Sequence, residues 1–133
     1  MYKTIHLLLV EDNPGDVLLI RESLRQCALS VDVTIAEDGT QALARLNEGF
    51  KADLIILDLN IPRMDGYALL ERLGVINTPI VVFTWATEGA NRALELGARE
   101  VVQKPSDFSE FVQAVCGIVE RWGRSLAANG ATC

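Results

Sequence analysis

Basic residues are in short supply. Twelve Lys and Arg stand against eighteen Asp and Glu, for a net charge of −6, and the basic residues form no run or stripe. A chain that grips nucleic acid must neutralise its phosphates with clustered Lys and Arg; neither nucleic acid nor a membrane surface is an expected partner. No apolar run approaches the length of a membrane span. The N-terminal apolar stretch is short and enters acidic residues without a small-residue cleavage site, so the cytoplasm is the expected location. Cysteine is scarce too, and the three (Cys27, Cys116, Cys133) have no metal-like spacing. Cys27 and Cys116 fall in helical patterns and read as separate small buried hydrophobes, Cys133 as a mobile free thiol. A reducing compartment suits all three. No internal linker or low-complexity tract interrupts the chain. No Ser/Thr/Gly-rich phosphate loop follows the first apolar run, which excludes a flavin-binding reading.

What is present is apolar and periodic. Half of the 133 residues are hydrophobic, enough for one domain with a real core. Short apolar runs read as strands buried on both faces of a parallel sheet: Ile5 to Val10, Leu54 to Leu57, Pro79 to Phe83 and Val101 to Gln103, with a further strand at Val31 to Ala36. A helical pattern follows each strand. Val17, Ile20, Leu24 and Ala28 carry the first; Ala42, Leu43 and Leu46 the second; Ala68, Leu69, Leu70 and Leu73 the third; Ala93, Leu94 and Leu96 a short fourth that Gly97 terminates. The fifth opens after Ser106, its expected cap. It shows Phe108, Phe111, Val112, Val115, Val119 and Trp122 on one stripe. Five βα units imply an α/β doubly wound sandwich, a five-stranded parallel sheet with helices on both faces. The domain is expected over residues 1–122, with 123–133 a short tail and no output domain.

Five polar residues close these runs. Glu11 and Asp12 follow the first strand, Asp58 the third, Thr84 the fourth and Lys104 the fifth. In an open α/β sheet, ligands bind outside the carboxyl ends of the strands, so three carboxylates, a hydroxyl and an ammonium are expected to converge. Asp58 is the candidate nucleophile, able to attack phosphorus and form an acyl phosphate. Carboxylates this close repel unless a cation sits among them, and a hard, oxygen-seeking ion fits best: Mg²⁺, with Mn²⁺ as substitute. Lys104 would neutralise phosphoryl oxygens as a point charge, and Thr84 would donate one hydrogen bond. Taken singly, each is ordinary at a strand end: turn-capping aspartate, acidic loop, surface lysine. The case rests on their conjunction.

With these residues in view, the chain resembles the receiver domain of two-component response regulators. The resemblance rests on Leu8-Leu9-Val10-Glu11-Asp12-Asn13, on Leu57-Asp58-Leu59-Asn60-Ile61-Pro62-Arg63-Met64-Asp65-Gly66, and on Thr84, Gly97-Ala98 and Lys104-Pro105. It implies the flavodoxin-like strand order 2-1-3-4-5. It also implies that Asp58 accepts phosphate from a sensor histidine kinase. Glu11, Asp12, Asp58 and the Asn60 backbone carbonyl would hold Mg²⁺, Lys104 and Thr84 would bind the phosphoryl oxygens, and the Lys104–Pro105 bond would be cis. The turn Glu11-Asp12-Asn13-Pro14-Gly15-Asp16 looks most like stand-alone regulators paired with bacterial phytochromes, which makes a bacteriophytochrome the candidate kinase. The signal would leave through an effector or phosphotransfer protein.

Two departures from that family pattern stand out. Where the family carries Tyr or Phe, three residues before the lysine, this chain has Val101, a stiff side chain with no ring to move. Weak conformational coupling is therefore expected, and Val101 is expected to pack in the interior, the alternative being an apolar edge for a homodimer through the last strand and helix. The segment from Thr84 to Lys104 is also about two residues shorter than the family pattern, near Trp85 to Ala90. Trp85 is expected to pack against the fourth helix, the alternative being that it substitutes for the missing ring as the moving group. Two rival functions are weighed. One is a phosphate-independent interaction module on the same fold. The other is an aspartate-nucleophile phosphohydrolase of the haloacid dehalogenase type, which needs an acid two residues after the nucleophile to protonate the leaving group; Asn60 stands there. Catalytic turnover is not expected.

Overall fold

The computed structural model describes residues 4–61, 64–74 and 76–123. Pro62 and Arg63 of the long turn, Cys133 and most of the expected tail lie outside the described residues. The order is β1 (Ile5–Val10), α1 (Pro14–Gln26), β2 (Val31–Ala36), α2 (Gly39–Asn47), β3 (Leu54–Leu57), α3 (Gly66–Leu73), β4 (Ile80–Thr84), α4 (Ala90–Glu95), β5 (Glu100–Gln103) and α5 (Phe108–Ile118). The strands form one parallel sheet in the order β2-β1-β3-β4-β5, the order the family resemblance implied. A π-helical turn, Val119–Gly123, continues α5. Among the described residues, no helix is long and apolar enough to cross a membrane.

Alternation along each strand divides the core into two layers. Leu8, Val10, Ile55, Leu57, Ile80 and Val82 face one way, toward Ala42 of α2, Leu69 and Leu70 of α3 and Ala93 of α4. Leu7, Leu9, Leu54, Ile56, Val81 and Phe83 face the other, toward Ile20 and Leu24 of α1 and Phe111 and Val115 of α5. The central strands β1, β3 and β4 are apolar on both faces because both are covered. Val101 packs into the α2–α3–α4 layer.

Capping fixes where the helices begin. Asn13 Oδ1 accepts from the Asp16 N–H at 2.9 Å, with Pro14 in the first helical position. Asp65 caps α3 through the Ala68 N–H. α5 is capped by Asp107 rather than Ser106, its Oδ2 accepting from the Glu110 N–H at 3.0 Å. Gly97 ends α4 as expected, at φ 120°, a conformation side chains rarely adopt. The Lys104–Pro105 bond is trans, since the chain has no cis peptide among its described residues.

The cysteines correct the sequence reading. Cys27, at the C-cap of α1, and Cys116 of α5 are joined in a disulfide, with Cα atoms 5.4 Å apart. Spacing could not reveal this, because the partners are 89 residues apart. They meet because α1 and α5 lie side by side on one sheet face. The reducing compartment inferred from unpaired thiols loses that support.

Candidate functional site

The end of β3 sets the centre of the site. The Asp58 N–H donates to the Val10 carbonyl at 3.0 Å, continuing the ladder one residue past the strand, and the Asp58 side chain is buried. Beneath it, α3 starts so close that a Cβ on Gly66 would stand 2.7 Å from Leu59 Cα. Glycine there lets the chain turn from Asp58 into α3 without displacing it.

Four of the sequence-predicted residues converge. Lys104 Nζ, fully buried, donates to Glu11 Oε1 at 2.6 Å and to Asp58 Oδ2 at 2.8 Å. Thr84 Oγ1 donates to the other Asp58 oxygen, Oδ1, at 3.3 Å, and the Asn60 N–H donates to the same atom at 3.0 Å. The remaining predicted residue, Asp12, is exposed and lies outside this network. The third carboxylate of the network is that of Asp16, from the first turn of α1, whose Oδ2 accepts from Lys104 Nζ at 2.8 Å. The sequence reading passed over Asp16 because an acid three residues after an N-cap reads as ordinary helix-start chemistry. Its one visible signal was proximity to Glu11 across a tight Asn13-Pro14-Gly15 turn.

Trp85 also sits elsewhere than expected. It packs not on α4 but toward α5, its ring centroid 6.4 Å from that of Phe111, and its Nε1–H donates to Asp16 Oδ2 at 2.9 Å. The Lys104 ammonium lies 5.8 Å from the Trp85 and Phe83 rings, within reach of a cation–π attraction.

Oxygens of Glu11, Asp16 and Asp58 all lie within 4.8 Å of one another. Such a cluster is unfavourable without compensating charge, and here a single lysine supplies part of it. Burial pushes the Glu11 carboxyl up from 4.5 to about 7, with Asp58 adding to the rise and Lys104 opposing it. Burial works against the Lys104 ammonium, but the hydrogen bonds it donates to Asp16, Asp58 and Glu11 outweigh it and hold its pKa above the usual lysine value. No buried side-chain N or O among the described residues lacks a partner. The site is therefore a hydrogen-bonded cage of net negative charge with a strand-end carboxylate at its centre. An all-oxygen carboxylate set suits a hard divalent cation, and an incoming ion would compete with the ammonium for these oxygens.

Comparison with known proteins agrees with this geometry. Residues 7–116 match the response regulator receiver domain family. IrlR of Burkholderia pseudomallei (strain 1026b), a transcriptional activator protein, is 37% identical over 120 residues, covering 88% of this chain and 51% of that protein. The chain spans about half the length of the curated relatives it matches first. Among solved structures, the phosphorylated cyanobacterial phytochrome response regulator RcpA superposes with a TM-score of 0.82 at 30% identity, over 90% of this chain and 94% of that one. The bacteriophytochrome response regulator AtBRR gives 0.69 at 32% identity, over 87% and 94%. These neighbours are of the phytochrome-associated type that the Glu11–Asp16 turn suggested. The matched region takes in every side chain of the cage, and the chain belongs to the response regulator receiver family.

Proposed function

We propose that this chain accepts a phosphoryl group on Asp58 from a sensor histidine kinase, a bacteriophytochrome being the candidate, and relays that state by protein contact. The observation that carries the reading is the pairing of Asp58 with a buried lysine on one oxygen and a threonine hydroxyl on the other. Asp58 attacks the phosphorus of a phosphohistidine; the new O–P bond forms as the P–N bond breaks, and the imidazole leaves. Lys104 turns from the carboxylates to the phosphoryl oxygens, and Thr84, on the neighbouring strand end, donates its hydroxyl to the same group. Water later cleaves the acyl phosphate and restores the carboxylate. Turnover of a small substrate is not part of the reading, and Asn60 leaves a phosphohydrolase without its leaving-group acid.

Glu11, Asp12, Asp58 and the Asn60 carbonyl are the proposed ligands of Mg²⁺, or Mn²⁺ in its place. Asp12 is exposed and directly follows buried Glu11, and its carboxylate would meet a hydrated ion through water. When bound, the ion supplies positive charge against the phosphoryl oxygens. The effector or phosphotransfer protein downstream is recognised through surfaces that respond to the phosphoryl group, which turns a singly charged carboxylate into an acyl phosphate of about two negative charges, a gain of about one.

Incubation with acetyl phosphate, with and without Mg²⁺ and beside an Asp58→Asn control, tests this by intact mass. The expected outcome is a Mg²⁺-dependent gain of one phosphoryl group, absent in the control. No gain under any condition leaves the phosphate-independent interaction module as the surviving reading.

A further inference from the structure

Asp16 Oδ2 accepts two hydrogen bonds at once, from Lys104 Nζ at 2.8 Å and from Trp85 Nε1 at 2.9 Å. One oxygen atom thus joins the lysine of the cage to an indole on the residue directly after Thr84. We propose that Asp16 is a positioning residue that shares the Lys104 ammonium with the acceptor while Asp58 is unmodified. On release it passes the state of Asp58 through Trp85 to the layer of α1 and α5. The proposal rests on the phosphoacceptor reading and adds to it the route by which the signal leaves.

The lysine ammonium has three N–H donors, and all three are committed, to Glu11, Asp16 and Asp58. It can serve phosphoryl oxygens only by giving one up. Asp16 is the least demanding to release. Its side chain is 12% exposed, against 2% for Glu11 and 7% for Asp58, so water reaches it most readily. It also keeps a donor on the same oxygen, because the indole N–H remains. Once Lys104 leaves, that N–H still donates to the Asp16 charge, a charge-assisted bond of the short, strong kind.

The indole is placed to pass this on. Its ring leans toward Phe111, which is buried in the α1–α5 layer with Phe83, the two rings edge to face at 5.2 Å. Trp85 itself is 44% exposed, so it has room to move where a core residue has none. Val101 has no ring and is packed in the opposite layer. The movement therefore runs toward the face away from the one where the family aromatic would act.

The test is a ¹H–¹⁵N spectrum of the unaltered chain with Mg²⁺, before and after acetyl phosphate, with phosphoryl occupancy read by intact mass. The chain has two tryptophans. The Trp122 indole, donating to Glu100 at 2.8 Å, serves as internal control, and Trp122→Phe assigns the two signals. The Trp85 indole signal should move with occupancy while that of Trp122 stays. In Asp16→Ala, compared at equal occupancy, the movement should be lost although the ring still neighbours Lys104. A second variant, Trp85→Phe, should abolish the response of the Phe111 amide to phosphorylation. A stationary Trp85 indole in the phosphorylated chain overturns the proposal, and so does undiminished movement in Asp16→Ala. Absence of any phosphoryl mass gain brings down the phosphoacceptor reading, and this proposal with it.

Discussion

At the scale of single residues, Glu11 is under the greatest tension. Its carboxyl titrates near 7 in the fold against 4.5 ordinarily, so between these values the folded chain holds a proton the unfolded chain has lost. Stability must then fall as pH rises across that window. The gap corresponds to roughly 3 kcal/mol. Urea unfolding of the unaltered chain and of Glu11→Gln, from pH 5 to 8, should show a steeper decline in the former. Parallel curves for the two would contradict it. The sequence disclosed the chemistry of most of these residues because each strand ends abruptly in a polar group after a continuous apolar run. It did not disclose Asp16, whose role depends on a lysine 88 residues away. Nor did it place Trp85 on α5, since Phe111 and Asp16 are distant in sequence and nothing local distinguishes that packing from contact with α4.

At the scale of elements, α3 shows how closely the site depends on backbone approach. Gly66 opens that helix directly under Leu59, the residue after the acceptor. Gly66→Ala forces a methyl group against backbone, which flexible side chains cannot absorb, and overpacking of this kind destabilises by about 1–3 kcal/mol. Chemical denaturation should show that loss. Acetyl phosphate labelling of Asp58 should slow as well, because the methyl presses on the segment carrying the acceptor. Helix existence and face were readable from 3.6-residue periodicity, and β2 fell where its β-branched run predicts. Finer points were not readable. Ser106 and Asp107 are both good caps, and only the entry angle into α5 decides between them. The short α4 has no side-chain cap at its start, so its boundaries rest on what surrounds it.

At the scale of the whole molecule, the layer of α1 and α5 is stapled and the layer of α2, α3 and α4 is not. Iodoacetamide should label one thiol in the oxidised chain and all three after reduction and unfolding. Reduction should also destabilise the fold, by up to about 4–5 kcal/mol in the chain-entropy account of so large a loop, measured as a lower urea midpoint. Three labels on the untreated chain would show that the bridge is not formed in solution. The layered α/β architecture followed from strand and helix alternation and the strand order from the family resemblance, whereas the bridge follows only from the packed fold.

The bridge has a mechanical corollary. Asp58, Thr84 and Lys104 all lie within the stretch it closes, while Glu11, Asp12 and Asp16 lie outside. Stretched between its ends, the oxidised chain can lengthen only through the segments flanking Cys27 and Cys116. Reduction would release a hidden contour length of about 300 Å, at up to ~3.6 Å for each residue of the closed stretch. In a single-molecule pulling trace the two redox forms would differ by that step, and in the oxidised form Asp58, Thr84 and Lys104 would stay within the tethered loop after Glu11 and Asp16 had been drawn away.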